Sequence, residues 1–510
     1  MRLLYIIPAP VITFCIASTA IVLILITALQ LGFIPYVGAA ILLACAAIFA
    51  IYLEKPIIFI ISTLVWFTFS GLFVHTWSLL PFDIYIVMWV ADKYLDELLF
   101  LPIFGVFAFH IVQKGHLPAR SLLFLWVGLL FLSFLSGRLN GSGFVSTIKF
   151  VELYFRYPVV FWVTTLYFDK KAERYRQVTI MLLWFFILQA VADIIWFTVG
   201  PPHGTERVEL LDTGVGTLGH SHLVSHMTAL GIFVSYARII TCHDRSRVAW
   251  WGIFLLLCLL FWLGQAKHAI PLLGTGLFLL TGISIGTSVI RRLVVFTVGA
   301  IVVVLMILFA DYGSYLLTHY TKRWYIPEEL EETASVKLQA YKDVYKVLGA
   351  GPQALYGTGP GNFASVVGLQ NESNLALTYF YKDYEPLEYN PGGSIMGVGS
   401  NGMVSIWSEL GYGGIILYLG MYAVIFWRIL LQIWRREYDH IPYAQTLAMA
   451  YCAWVVFYLG LNFIIDAFVC GILPFITWAW AGMVFVPPAN NTVNPEMAIS
   501  KQCRRVKSKI

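Results

Sequence analysis

Hydrophobic residues along the chain run in blocks of about 20, the length of a helix that crosses a bilayer, and not in the alternating ten-residue segments of a membrane barrel. Fourteen blocks are predicted as spans: 8–31, 34–53, 56–78, 96–113, 121–137, 146–168, 178–199, 218–240, 249–265, 269–290, 293–311, 403–434, 443–465 and 469–486. The one long polar stretch, 312–402, falls between the eleventh and twelfth. The pattern predicts an all-α polytopic membrane protein: a helical bundle over 1–311, a polar loop domain over 312–402, three closing spans over 403–486 and a tail over 487–510.

Composition agrees. Of 510 residues, 59% are hydrophobic and 12% charged, and the mean hydropathy is +0.78. A soluble domain carries about twice that share of charge. None of the seven cysteines lies in the polar loop and no CxxC pair occurs, so neither a disulfide framework nor a thiolate metal site is indicated. Met1-Arg2 precedes a long apolar run without a small-residue cleavage site and a soluble domain after it, which reads as a retained first helix.

The net charge of +5 gains meaning once it is placed on the spans. An even count puts both termini on one side. The segments on that side hold Arg2, Lys55, Lys114, Arg120, Lys170, Lys171, Arg174, Arg176, Arg238, Arg245, Arg247, Arg291, Arg292, Arg428, Arg435 and Arg436, and the tail adds Lys501, Arg504, Arg505, Lys507 and Lys509. Short basic loops mark the cytoplasmic side, so both termini are expected inside and 312–402 outside. The basic tail then lies near anionic lipid.

Within the polar stretch, an acidic run (Glu328, Glu329, Glu331, Glu332) leads to a short amphipathic helix. Its expected apolar face is Leu338, Tyr341, Tyr345 and Leu348, which Lys337, Lys342 and Lys346 avoid. A glycine turn follows over 357–363, then an aromatic loop (Tyr379, Phe380, Tyr381, Tyr384, Tyr389) and a second glycine-rich turn over 392–402. Ser400-Asn401 feeds the next span, which holds Ser408-Glu409-Leu410-Gly411. The segment reads as a lid over a site at the outer membrane face.

Basic residues that depart from the charge rule are the candidates for that site. Lys149, Glu152 and Arg156 share a helix face inside a span, where charge is costly unless it is paired or faces a wet cavity. They form either an ion pair or part of an outer cavity. Arg207 lies in an outer loop that leads to His220, His222 and His226. His222 and His226 are spaced to share a metal, but no third ligand is evident, and hydrogen bonding to substrate or to a neighbouring helix is the alternative. Lys267-His268, at an outer span end, can hold a diphosphate, or Lys267 can snorkel to the interface. Asp193 and Asp466 lie within spans without an evident partner. Asp83, Asp92, Asp96 and Glu97 surround Lys93 in an acidic outer loop that matches no calcium-loop spacing. Together Lys149, Arg156, Arg207, Lys267, Lys337 and Lys342 suit an anionic substrate from the outer leaflet, such as a lipid diphosphate. Gly359 and Gly361 can cradle phosphate with backbone N–H groups or serve as hinges. The aromatic loop can lie against sugar rings or pack on itself.

Over roughly residues 120 to 485 the chain resembles the O-antigen ligase and O-antigen polymerase superfamily of bacterial envelope glycosyltransferases. The resemblance rests on many spans with one large loop in the C-terminal third, and on four local matches. Residues 207–226 resemble the family's polar approach to a central span. Gln265-Ala-Lys-His-Ala-Ile-Pro-Leu272 stands where the family has a Ser-Arg motif followed by Leu, with His268 at the Arg position. Lys337 and Tyr341, ahead of Tyr356-Gly-Thr-Gly-Pro-Gly-Asn-Phe363, resemble a basic lid helix running into a Gly-x-Gly turn. Ser400 through Gly411 resembles the ligase pattern of His, ten residues and Gly, with Ser400 in the place of His.

The departures at His268, Lys337 and Ser400, and the fourteen spans, favour the polymerase branch over the ligase. The resemblance implies a GT-C-like helical fold in the bacterial inner membrane, with no cofactor, no metal and no nucleic-acid partner. It implies metal-independent, inverting transfer of a glycan from undecaprenyl diphosphate to an acceptor sugar hydroxyl at the periplasmic face. Lys267, His268, Lys337 and Arg207 would stabilise the leaving diphosphate. Glu409, His220, His222 and Glu152 are candidates for the base. Membrane lipids, a flippase and a chain-length regulator of the same pathway are the expected partners. The rival readings are a ligase to lipid A core or another acceptor, and a lipid-linked oligosaccharide flippase. A flippase would show two related halves, and no internal repeat is seen.

Overall fold

The computed structural model describes residues 60–61, 63–64, 100, 102–108, 110–112, 117–199, 221–242, 246–263, 266, 269–284, 340–349, 351–371, 373–375, 401–467 and 471–488. The predicted spans 8–31, 34–53 and 293–311, and most of 56–78, lie outside them.

Among the described residues the chain is helical and no strand forms. The principal helices are α1 (Arg120–Leu139), α2 (Phe144–Phe155), α3 (Pro158–Tyr167), α4 (Ala172–Val199), α5 (Ser221–Thr241), α6 (Ser246–Leu263), α7 (Ile270–Ser284), α8 (Gly402–Trp434), α9 (Pro442–Asn462) and α10 (Ile472–Val484). Five segments are long and apolar enough to cross a membrane: α1, α8, α9, Ala172–Ala192 of α4 and Leu223–Thr241 of α5. Shorter apolar helices accompany them, and the protein is membrane-embedded and polytopic. The expected single span 146–168 is two helices. Pro158 lacks the N–H that would continue the ladder, and α2 ends just before it at Phe155.

Helix α9 is the hub, packed against α4, α5, α7, α8 and α10. Its core is aromatic. Trp454, Tyr458, Trp478 and Tyr422 are buried together, with 4.8 Å between the ring centroids of Tyr422 and Trp478, and Trp454 Nε1 donates to Thr477 Oγ1 at 2.8 Å. Lipid supplies little hydrophobic drive between helices, so close approach at small residues matters. A Cβ at Gly276 of α7 would sit 2.4 Å from the Phe233 ring of α5, and one at Gly460 of α9 would sit 2.5 Å from Leu272. Helix α10 meets α3 at Gly482, whose added Cβ would lie 2.5 Å from the Phe161 carbonyl oxygen.

Basic residues gather at one end of the bundle. There Trp162 Nε1 donates to the Pro118 carbonyl, Tyr175 Oη to the Met483 carbonyl and Gln432 Nε2 to the Phe485 carbonyl. Arg238 lies over the Tyr443 ring and Arg428 over that of Phe485. Arg120, Lys170, Lys171, Arg174, Arg176, Arg435 and Arg436 belong to the same helix ends. The opposite end is formed by the C-termini of α1 and α9 and the N-termini of α2 and α8, and it carries the described part of the polar loop.

Replacing Gly482 with Ala is expected to cost about 1–3 kcal/mol, because the new methyl meets backbone. Gly252→Ala, with open space around it, should leave stability unchanged or raise it. Melting temperatures of the two purified variants in detergent check this, and equal melting would refute the packing account.

Candidate functional site

Asn401 opens α8, with Oδ1 accepting from Val404 N at 2.8 Å. The helix breaks at Gly411, where φ is 65° and ψ −164°. Only glycine fits, since a Cβ there would lie 2.5–2.7 Å from the backbone of Ala354 and Leu355. The break leaves the carbonyls just before it open to other partners, and the glycine loop 357–361 takes them. Thr358 donates to the Ser408 carbonyl through N at 2.9 Å and Oγ1 at 3.0 Å. Gly359 N donates to the Glu409 carbonyl at 3.1 Å, as does Ser136 Oγ of α1, also at 3.1 Å. Gly357 allows this approach: its φ is 76°, and a Cβ would stand 2.2 Å from the Glu409 carbonyl carbon.

The Glu409 side chain reaches into the same loop and is fully buried. Its Oε2 accepts from Gly361 N at 2.6 Å, and its Oε1 from Phe363 N at 3.3 Å and Ser365 N at 3.0 Å. The loop thus forms an anion-accepting concavity, and the protein's own carboxyl group fills it. This bears on two expectations. Glu409 has no access to a substrate, and its geometry is that of an anchor for the lid, not of a base. Gly359 and Gly361 do not present free N–H groups to a phosphate, because Glu409 takes both.

Residues 340–348 form a helical segment that packs through Ala340, Val344 and Leu348 against Phe363, Ala364 and Val404. The expected apolar face is therefore rotated: Ala340 and Val344 lead it, and Tyr345 is 64% exposed. Tyr341 ties the segment down. Its hydroxyl lies 3.1 Å from Asn401 Oδ1 and 2.9 Å from the Phe463 carbonyl oxygen. Burial pushes the Tyr341 hydroxyl well above its ordinary pKa, so it remains a donor.

Between this lid and the helix ends lies a cavity of about 670 Å³. It is lined by Asn140, Gly143, Ser146, Val347, Gln353, Thr358, Gly361, Asn362, Asn371, Ser373, Asn374 and Leu375, and among these described residues none is charged. The volume falls within the range of small-molecule sites, about 300–1,000 Å³. Thr358, Gly361 and Asn362 belong to the glycine turn picked out in the sequence, and the rest of the lining comes from residues that the sequence reading did not single out. Two short polar stretches of the sequence, Asn140-Gly-Ser-Gly143 and Asn371-Glu-Ser-Asn374, carry the signal that would have found it.

The remaining candidates separate. Lys149 is exposed on α2, one turn beyond Ser146 and on the same side of the helix. Lys342 is exposed on the lid segment. Arg156 does not join an outer cavity. It is buried at the junction of α2 and α3, paired with Glu152, bonded through Nη2 to Tyr157 Oη at 3.0 Å, and placed 4.7 Å from the centroid of the Phe100 ring. Asp466, expected to lack a partner, accepts from Tyr154 Oη at 2.7 Å. His226 is buried edge-on to Phe457, and His222 falls on the first turn of α5. Arg207, His220, Lys267, His268, Lys337 and Ser400 lie outside the described residues, as do the acidic run, the aromatic loop 379–389 and Asp83 to Glu97. Compared with protein-family models and with curated proteins, the chain matches none.

Glu409→Ala would orphan three buried N–H groups. The cost is expected to be on the order of 3 kcal/mol. Limited proteolysis of the purified variant should show new cuts between 357 and 365, and protection equal to that of the unsubstituted protein would contradict the anchor role. Glu409→Gln, which keeps one carbonyl oxygen, should lie between the two.

Proposed function

We propose that the chain is a polymerase of lipid-linked oligosaccharide repeat units, of an exopolysaccharide or O-antigen, in the bacterial inner membrane. In this reading it has fourteen spans in a GT-C-like arrangement, with both termini in the cytoplasm and the lid in the periplasm. The observation that carries the reading is the polar cavity under the lid loop, at the bundle end opposite the basic helix ends. Under the positive-inside rule that cavity faces outward, where a lipid-linked glycan would be presented.

The reaction follows from this placement. A hydroxyl of the acceptor glycan attacks the anomeric carbon of a glycan on undecaprenyl diphosphate. The new glycosidic bond forms as the bond to the diphosphate oxygen breaks, with inversion. Charge develops on the departing diphosphate, and Arg207, Lys267, His268 and Lys337 are assigned to stabilise it. The acceptor proton passes to a base, for which His220 and His222 are the assignments, since Glu409 is held by backbone N–H groups and Glu152 by Arg156. Ser400, which precedes the Asn401 cap of α8 in sequence, is assigned to the site with them.

Single Lys267→Ala, His268→Ala and Lys337→Ala variants in the producing cell test the reading by gel analysis of surface glycan. Each is expected to reduce polymer at least about tenfold, leaving single repeat units on their carrier or acceptor. Normal polymer in all three would overturn the site. Long chains stranded on undecaprenyl diphosphate would indicate a ligase instead, and repeat units retained inside the cell a flippase.

A further inference from the structure

The cavity lining is spent unevenly between donors and acceptors. The Asn140 amide nitrogen donates to the Ser136 carbonyl at 2.9 Å and the Gly357 carbonyl at 3.2 Å. The Asn362 nitrogen donates to the Thr358 carbonyl at 2.8 Å, and the Asn371 nitrogen to the Gly361 carbonyl at 3.2 Å and to Ser146 Oγ at 3.0 Å. Because each of these nitrogens faces a backbone carbonyl, the amide orientations are fixed. Among the described residues, no hydrogen bond reaches Oδ1 of Asn362 or Asn371. Asn362 and Asn371 therefore offer carbonyl lone pairs, while the side-chain N–H groups of Asn140 and Asn371 are taken.

Such a lining discriminates by chemistry. A ligand with many O–H donors gains hydrogen bonds to acceptors that are already oriented. A carboxylate or phosphate would set its own lone pairs against them and find no positive charge among the lining residues. Val347 and Leu375 supply apolar surface on the same lining, which suits the C–H face of a pyranose ring. Glu409, beneath Gly361, fills the backbone concavity of the glycine loop that would otherwise accept an anion.

We infer that this cavity is a subsite for an uncharged hexose residue of the glycan, and that the diphosphate binds elsewhere. The inference rests on the polymerase reading only for the word glycan; the selectivity for uncharged sugar follows from the lining itself. It assigns the acceptors to Asn362 and Asn371, and it separates sugar recognition at the lid from phosphate recognition on the basic residues.

The test uses the full chain in phosphatidylcholine nanodiscs, which avoids sugar-based detergents, and saturation-transfer NMR with free sugars. Galactose and galacturonic acid, and glucose and glucuronic acid, form pairs that differ only at the carboxylate; inorganic phosphate is added as a competitor of the hexose signal. The neutral hexoses are expected to show saturation, with the uronic acids at least about tenfold weaker and the hexose signal undiminished by phosphate. Asn362→Ala and Asn371→Ala, which remove the acceptors, should each lower hexose binding about tenfold while the protein still melts cooperatively. Equal saturation by hexose and uronic acid, or none by any hexose, overturns the inference even if the cellular polymer depends on Lys267 and His268. Selective hexose binding by a protein whose variants all make normal polymer would keep the subsite and remove the polymerase.

Discussion

A helix that breaks inside a membrane protein leaves carbonyl groups without their intrahelical partners, and hydrocarbon offers no water to take them. At Gly411 the released carbonyls of Ser408 and Glu409 are met by the glycine loop at 357–361. The exchange is mutual, because the loop's own N–H groups at Gly361, Phe363 and Ser365 find the Glu409 carboxyl oxygens. Each partner thus resolves an accounting problem in the other. The cavity inherits its shape from this interlock, since Thr358, Gly361 and Asn362 are lining residues as well as parts of the loop.

The rest of the bundle gives this interlock a fixed platform. Helix α9 is held by small-residue crossings and a stacked aromatic core, and its end carries Phe463, to which the lid segment is tied through Tyr341. Arg156 is engaged by Glu152, Tyr157 and Phe100, and Asp466 by Tyr154. These groups serve packing where α2 gives way to α3, not a solvated path.

Much of the scaffold was legible in the pattern of residues. Span positions 121–137, 403–434 and 443–465 agree closely with α1, α8 and α9, because block length and hydropathy follow directly from the bilayer. The glycine turn at 357–363 was visible for the same kind of reason, as Gly-x-Gly-x-Gly has few uses. What escaped depends on tertiary pairing. Pro158 divides a span that hydropathy alone joins. Tyr345 reads as apolar by spacing, yet the segment is turned so that Ala340 and Val344 meet Phe363. Glu409 reads as a candidate base in sequence, and only the loop folded over it shows where its oxygens are engaged. The asparagines of the cavity look like ordinary turn formers until two stretches, more than two hundred residues apart, face one another across it.

The break at Gly411 also relocates a boundary. Hydropathy assigns all of α8 to the membrane, but the piece from Gly402 to Leu410 also bonds the loop and packs Val404 against it, while Met403, Ile406 and Leu410 face the bundle core. The portion beyond Gly411 packs along α1, α9 and the Tyr422 cluster. The loop and the bundle therefore meet within a single helix. A lid transplanted between two chains of this architecture would have to carry its own stub of α8, cut at the glycine, or it would arrive without the carboxyl group that closes its loop.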